Sequence, residues 1–535
     1  MCGIIGYCTP NDIPSSHAWM LNGMKHQADR GPDGSTYQQY KNDHYTAGFG
    51  HNRLSIIDLS DNGKQPIKYG PFTLTFNGEI YNYKYLRSYL SAADDLGKTD
   101  EYNDAHTLIR YISKFGLNKA LNDVSGMFAL ALHDSRNDTI TLVTDHFNQK
   151  PLYYYHTGFT FHFASTPAVL YGCQLNWKID HNALRTYWML GGVIGENQIM
   201  QGIKKLTAGQ MVTYHCPSGR IQKHRWYTPA PRAGKKDIET LVYEAIDEMK
   251  VSDVPVCIFL SGGIDSSLVA SRFAGGTAIH LASPETEYAK QVADHFHINL
   301  LESTPADYHI DEILKDYVTK SGEPTMAGPI PWITAKEARK YTKVAVIANG
   351  ADELFFGYDR IHNDTQRRSV AQNNHMMRGS IFSHAELERH RSPNSSRLTE
   401  LDIFIQYDLN RTLDFASMCH GLEVRSPFLN HKLVEAALAI PELEHRKNGN
   451  KSILKAMLHK LGFSHGFTDR PKQGFSLHYK PKGMDQAIEK SMLWAISEGW
   501  MDDIKGTPSP RDKNYLANSV MGFYYWYVEH KHIIK

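Results

Sequence analysis

The stretch Val256-Cys-Ile-Phe-Leu-Ser-Gly-Gly-Ile-Asp-Ser-Ser267 limits the fold of this chain more than any other. Val256 to Leu260 is an apolar run set off by Pro255 and by glycines, the pattern of a buried strand. Ser261, Gly262 and Gly263 then require a sharp turn, and Ser266 to Ala270 reads as the start of a helix. A strand, a Gly-Ser turn and a helix N-terminus form a cradle for an anion. Free N–H groups, hydroxyls including those of Ser266 and Ser267, and the positive end of the helix dipole converge there. Asp265 inside such a turn would repel a phosphate unless a cation stood between them, which points to Mg²⁺ and a polyphosphate.

A second apolar run, Val344 to Ile347, leads into Ala348-Asn-Gly-Ala-Asp-Glu353. Parallel strands place the loops after them at one edge of the sheet, where open α/β sheets bind ligands. Asp352 is therefore expected to face Asp265 across one metal site, with Ala348 and Gly350 in the second loop.

The chain has 535 residues, too many for one core. Lys and Arg number 58 against 57 Asp and Glu, a net charge of +1 that gives no sign of nucleic acid or of an acidic membrane as partner. No apolar run reaches the roughly 18 residues that span a bilayer, and the first residues have no secretory pattern. The six cysteines are scattered and form no CxxC pair, so a zinc site is not expected and a reducing cytoplasm is.

Cys2 opens the other half. Loss of Met1 would leave a thiol beside a free α-amine, a nucleophile that carries its own base. A buried structural cysteine is the alternative. The stretches after Cys2 decide between them: Asp29-Arg-Gly-Pro-Asp-Gly34, Arg53 before an apolar strand, Phe76-Asn-Gly-Glu-Ile80 at an Asn-Gly turn, Asp104, and the strand-like Gly126 to Leu132.

This order resembles the glutamine amidotransferase domain with an N-terminal nucleophile. The turn Ser261 to Ser267 resembles the PP-loop of ATP pyrophosphatases. In both domains and in their order the chain is similar to the glutamine-dependent asparagine synthetase family. Further stretches carry that likeness: Gly322-Glu-Pro324, Glu423 to Leu429, Lys451 to Lys455, and Arg470-Pro-Lys-Gln-Gly-Phe475.

The resemblance implies two domains. Residues 1–205 would be an αββα sandwich of antiparallel sheets, 206–237 an exposed linker, and 238–535 a doubly wound parallel α/β sheet. It implies that Cys2 is the nucleophile, that Arg53 holds the glutamine α-carboxylate, and that Asn77 and Gly78 form the oxyanion hole. Glu79 belongs to the same turn, and Asp104 pairs with the α-ammonium. ATP would lie on Leu260, Ser261, Gly262, Gly263, Asp265, Ser266, Ser267, Ile279, Ala348, Gly350 and Lys451, with Mg²⁺ on Asp265 and Asp352; Lys455 adds charge nearby. The partners are small molecules, namely glutamine, ATP and aspartate; a homodimer is compatible with the chain. The reaction implied is adenylation of aspartate and amidation by ammonia from glutamine.

The chain departs from the family pattern in several places. Asp29 stands in place of histidine, Ala105-His106 in place of Thr-Glu, Thr166 in place of Glu, Asn430 in place of Asp, and Asn349 in place of a glutamate. Asn349 cannot act as a base. It leaves open an amidotransferase of the same mechanism acting on another carboxylate, as in secondary-metabolite or polysaccharide pathways. β-Lactam synthetases lack a working glutaminase, and Cys2, Arg53, Asn77 and Asp104 argue against that reading. A regulatory nucleotide-binding protein without turnover is opposed by Asp265 and Asp352.

Overall fold

The computed structural model describes residues 2–11, 15–90, 103–358 except 175, 395–447, 449–470, 480–500 and 513–535. Residues 471–475, part of one family-like stretch, lie outside them.

Twelve strands build the N-terminal part: β1 (Gly3–Pro10), β2 (Gly34–Lys41), β3 (Tyr45–Arg53), β4 (Ile67–Tyr69), β5 (Phe72–Ile80), β6 (Gly126–Asp134), β7 (Thr139–Thr144), β8 (Tyr153–Thr157), β9 (Thr160–Ala164), β10 (Ile203–Lys205), β11 (Gln210–His215) and β12 (Arg220–Arg225). They form two six-stranded sheets, β10-β8-β9-β1-β3-β2 and β12-β11-β7-β6-β5-β4. Neighbouring strands run antiparallel.

Strand alternation sends successive side chains to opposite faces. On β1, Ile4 and Cys8 meet Ala129, Ala131, Leu142 and Val212 of the other sheet. Ile5 and Tyr7 point the other way, onto Met20 and Met24 of helix Ser15–His26. The outer face of the second sheet, with Leu74, Phe76 and Leu130, is covered by Leu108, Ile109 and Ile112 of helix Asp104–Phe115. The result is the expected sandwich of antiparallel sheets between helices.

The expected linker is shorter than 206–237. β11 and β12 lie within that span and complete the second sheet. Val212 and Tyr214 are fully buried, so the segment adds to the inter-sheet core. The longest continuously exposed run in that span is 230–237.

The C-terminal part holds β13 (Val256–Phe259), β14 (Thr277–Leu281), β15 (Asn299–Ser303), β16 (Val344–Val346) and β17 (Glu423–Arg425). All are parallel, in the order β15-β14-β13-β16-β17. The chain winds outward from β13 through β14 to β15, then crosses to β16 and β17. The point of reversal lies between β13 and β16, where such sheets open a crevice at their carboxyl ends. Helix Ile238–Glu248 precedes β13, and helix Thr286–His295 joins β14 to β15.

The turn at residues 29–33 ties the halves together. Lys320 Nζ is 2.8 Å from Asp29, Arg30 donates to Asp414 at 2.9 Å, and Lys343 donates to Asp33 at 2.7 Å. Arg30 and Asp414 are both buried. Asp29, a departure from the family pattern, is thus matched by a lysine of the other half. Asn430 is matched within its own half. Its Nδ2 donates to Glu248 Oε2 at 2.7 Å, and Ser125 of the N-terminal half donates to the same oxygen at 3.0 Å.

This arrangement gives a stability prediction. Burial holds the Glu248 carboxyl above its ordinary value, so its ionised form costs folding free energy at pH above that value. Asn430→Asp would replace a donor with a second carboxylate, costing about 1–3 kcal/mol. The loss should be full at pH 8 and shrink as the pH falls through the raised pKa of the pair. Thermal melts of both proteins at pH 5 and pH 8 measure it; an equal loss at both would refute the pairing.

Candidate active sites

The first site gathers at the start of β1 and the end of β5. Cys2 is buried, and its backbone nitrogen donates to Asn77 Oδ1 at 2.8 Å. That bond fixes which end of the amide is oxygen. Asn77 Nδ2 is then a donor, buried and without a hydrogen-bond partner among the described residues. An orphan buried donor calls for an explanation, and an oxyanion beside Cys2 supplies one. Gly78 has φ +148°, and a Cβ there would lie 2.1 Å from the Met127 carbonyl, so no side chain fits. Burial pushes the Cys2 thiol up, while the chain's amino group pulls it down.

Arg53 is held at the end of β3. One terminal nitrogen donates to Ser60 O at 2.6 Å and the other to Asp58 O. A Cβ on Gly63 would strike the guanidinium at 1.9 Å; sequence reading missed this glycine. The carboxylates lie close by. Asp104 accepts from the N–H of Ile80 at 3.1 Å and of Ala105 at 2.9 Å. Burial nevertheless raises its carboxyl to about 6. Burial also lifts Glu79 well above the usual range, with Glu423 and Asp104 adding to the effect.

Glu423 and Arg425 come from β17 of the other half and reach this region. Arg425 donates to Glu423 at 2.6 Å and lies 3.9 Å from Glu79. Arg30 donates to the Cys2 carbonyl at 3.3 Å while holding Asp414. The wall behind Cys2 is therefore partly built by the C-terminal half.

The second site lies at the sheet's point of reversal. The register pairs Ile258 with Val346, so the turns after β13 and β16 begin at the same edge. Ser261 Oγ is 3.0 Å from Ser266 Oγ, and Ser267 Oγ donates to Gly263 O at 2.7 Å. Gly263 caps helix Ile264–Ser271, which carries Asp265 in its first turn. Gly350, at φ +96°, opens the short helix Ala351–Leu354 that carries Asp352. Ala348 and half-buried Asn349 stand in the turn before it.

Lys451 joins the two loops. Its ammonium pairs with Asp265 Oδ2 and with Asp352 Oδ1. Burial alone would push that ammonium down; the two carboxylates outweigh burial and hold it above the ordinary lysine range. Lys451 sits in the left-handed region at φ +57°, a strained position at the head of helix Ser452–Lys460. Gly357 closes the cluster: a Cβ there would lie 1.8 Å from Asp352 Oδ1 and 2.3 Å from Lys451 Cε. Its place five residues after Asp352 was the only sequence signal for it.

One expectation is corrected. Lys455 does not add charge to this cluster; it pairs with Asp469 at 2.9 Å, because it lies one helical turn beyond Lys451. Leu260 and Ile279 do meet at the sheet edge, but the Leu260 N–H donates to the Ile279 carbonyl at 3.0 Å. The Leu260 carbonyl is bonded to His280 at 2.7 Å. Any contact of these two groups with a nucleotide would have to share them with the sheet.

Comparison with known proteins matches both halves. Residues 1–227 match the glutamine amidotransferase domain family, and residues 237–520 match the asparagine synthase family. The chain belongs to the asparagine synthase family. It is an enzyme of the ligase class with a glutamine amidotransferase half. Asparagine synthetase (glutamine-hydrolyzing) 1 of Bacillus subtilis strain 168 is 27% identical over 538 residues, covering 85% of this chain and 83% of that protein. A putative asparagine synthetase (glutamine-hydrolyzing) 2 of Methanocaldococcus jannaschii is 29% identical over 398 residues, covering 67% and 76%. Among the described residues no helix is long and apolar enough to cross a membrane.

Proposed function

We propose that this chain is a glutamine-hydrolysing asparagine synthetase, making asparagine, AMP, pyrophosphate and glutamate from aspartate, ATP and glutamine. The observation that carries the reading is the pairing of two sites in one chain. A buried thiol stands beside an unpartnered amide donor, and an Asp265–Lys451–Asp352 cluster stands at the edge of a parallel sheet. The names of the relatives point the same way.

In the first site Cys2, freed of Met1, attacks the side-chain amide of glutamine. Its α-amine takes the thiol proton and returns one to the departing ammonia. Asn77 Nδ2 and the Gly78 N–H hold the oxyanion. Arg53 grips the α-carboxylate and Asp104 the α-ammonium. In the second site the serine hydroxyls and the helix N-terminus receive the phosphates. Asp265 and Asp352 suit Mg²⁺, which takes one or two carboxylates together with substrate phosphates. Bound there, the ion would neutralise the leaving pyrophosphate. Lys451 then turns from the aspartates to the phosphate oxygens. Ammonia passes between the sites through the domain boundary, where a small pocket is bounded by Tyr81, Ser125, Gln149, Met249 and Leu429. The six free cysteines fit a cytoplasmic protein.

Asn349 favours a second reading, the same chemistry on another carboxylate. With ATP, Mg²⁺, amide-labelled glutamine and a panel of carboxylic acids, labelled asparagine is the product expected; a labelled amide of another acid alone would establish the second reading. With aspartate, the missing base should make amidation slow relative to adenylation, by about 10² to 10⁴ in rate. Asn349→Glu is then expected to raise the amide formed per pyrophosphate released. A native ratio of one to one would refute slow amidation.

A further inference from the structure

We propose that Arg470 is a positioning residue for nucleotide phosphate: it sets the direction of the Gly262–Gly263 peptide and so aims an N–H into the phosphate turn. The proposal rests on the reading of this turn as the ATP phosphate site.

Gly262 sits in the left-handed region at φ +83°, and a Cβ there would lie 2.7 Å from the Ala289 nitrogen. The turn therefore lies directly against helix Thr286–His295. A terminal nitrogen of Arg470 donates to the Gly262 carbonyl at 2.6 Å. A trans peptide is planar, with its C=O and its N–H pointing to opposite sides. Holding the Gly262 carbonyl on the Arg470 side turns the Gly263 N–H to the other side, where it lies 3.3 Å from Ser261 Oγ. Ser261 and Ser266 face each other there. Without Arg470 the same peptide could rotate through the glycine's wide range of φ. Its carbonyl oxygen would then face the phosphates and repel them.

Arg470 is itself fixed in place. The nitrogen on Gly262 lies 3.4 Å from Glu285 Oε2, and the other terminal nitrogen donates to Phe467 O at 2.5 Å. The guanidinium carbon lies 3.8 Å from the Tyr288 ring centre and 4.5 Å from that of Phe467. Stacking of this kind suits a planar guanidinium better than an ammonium. With both terminal nitrogens turned to protein oxygens, Arg470 acts on phosphate through the peptide.

Calorimetric titration of the full chain with ATP, with pyrophosphate and with adenosine, each with Mg²⁺, tests the proposal. Arg470→Ala should bind ATP and pyrophosphate roughly 10- to 100-fold more weakly, the range for a hydrogen bond to a charged donor. Adenosine affinity and glutaminase activity should stay native. Arg470→Lys should recover part of the phosphate affinity, since its ammonium can still reach the carbonyl. Unchanged pyrophosphate affinity in Arg470→Ala would overturn the proposal. So would an equal loss for adenosine, or a lysine variant as weak as the alanine one. Should the alanine variant fail to fold, the lysine variant carries the test: a selective partial loss supports the proposal, and no loss or an equal one overturns it. A native chain that binds neither ATP nor pyrophosphate would instead refute the phosphate-site reading.

Discussion

Cys2→Ala is expected to abolish ammonia release from glutamine while amide formation from added ammonium persists. Among the described residues the thiol is the nucleophile that this reading places beside Asn77 Nδ2, so its loss removes the covalent route and should lower the rate by at least about 10³-fold. Folding should survive, since alanine fills nearly the same buried space. Glutaminase and ammonium-dependent assays on the same preparation give the answer, and mass spectrometry of the native chain should show Met1 removed. Glutaminase activity retained by the variant would refute the assignment. The native enzyme should also show a pH limb from Asp104, whose carboxyl is raised to about 6. Above that value it is ionised and can hold the α-ammonium of glutamine. Below it kcat/KM should fall, approaching tenfold per pH unit. Asp104→Asn should lower kcat/KM at pH 8 and remove the limb.

Asp265→Asn and Asp352→Asn should each suppress acceptor-dependent pyrophosphate release by about 10²-fold or more while sparing the glutaminase. Each aspartate pairs with Lys451, which is 4% exposed. Removing one leaves the ammonium with the other, so the variants should fold. They lose half of the charge that would bind Mg²⁺ against pyrophosphate. A pyrophosphate assay with ATP, Mg²⁺ and aspartate, beside a glutaminase assay, separates the two effects. Unchanged release in both variants would place the metal site elsewhere.

A run in each chemical centre was legible as a local pattern. Ser261 to Ser267 is one turn, and Asn77 to Glu79 is one strand end, so local spacing carried the information there. Cys2, Arg53, Asp104 and Lys451 lie far from those runs in sequence and were joined to them through the family resemblance, and Asp352 through the parallel-strand pattern. The features that were missed depend on distant contacts. Gly63 and Gly357 matter only because Arg53 and Lys451 fold over them. Glu423 and Arg425 come to Glu79 from a strand more than three hundred residues away. β12 reads Arg-Ile-Gln-Lys-His-Arg and is mostly exposed, an edge strand whose polarity imitates a linker. β11 alternates cleanly between buried and half-buried positions, but the Pro and Gly just after it hid the pattern. Lys455 shared a motif with Lys451, and motif membership says nothing about which way a helix turns.

The turn at 29–33 has a consequence for anyone who would graft one half onto a foreign partner. Three side chains of a single turn are matched by Lys320, Asp414 and Lys343, which lie far apart in the other half. The exposed pairs are worth only about 0–1 kcal/mol each. The Arg30–Asp414 pair is buried, and stranding either partner costs about 3–5 kcal/mol. Because Arg30 also holds the Cys2 carbonyl, a chimera lacking a carboxylate at 414 would be less stable and would also release the backbone of its nucleophile. The two halves are written as consecutive segments, yet they are transplantable only as a matched set.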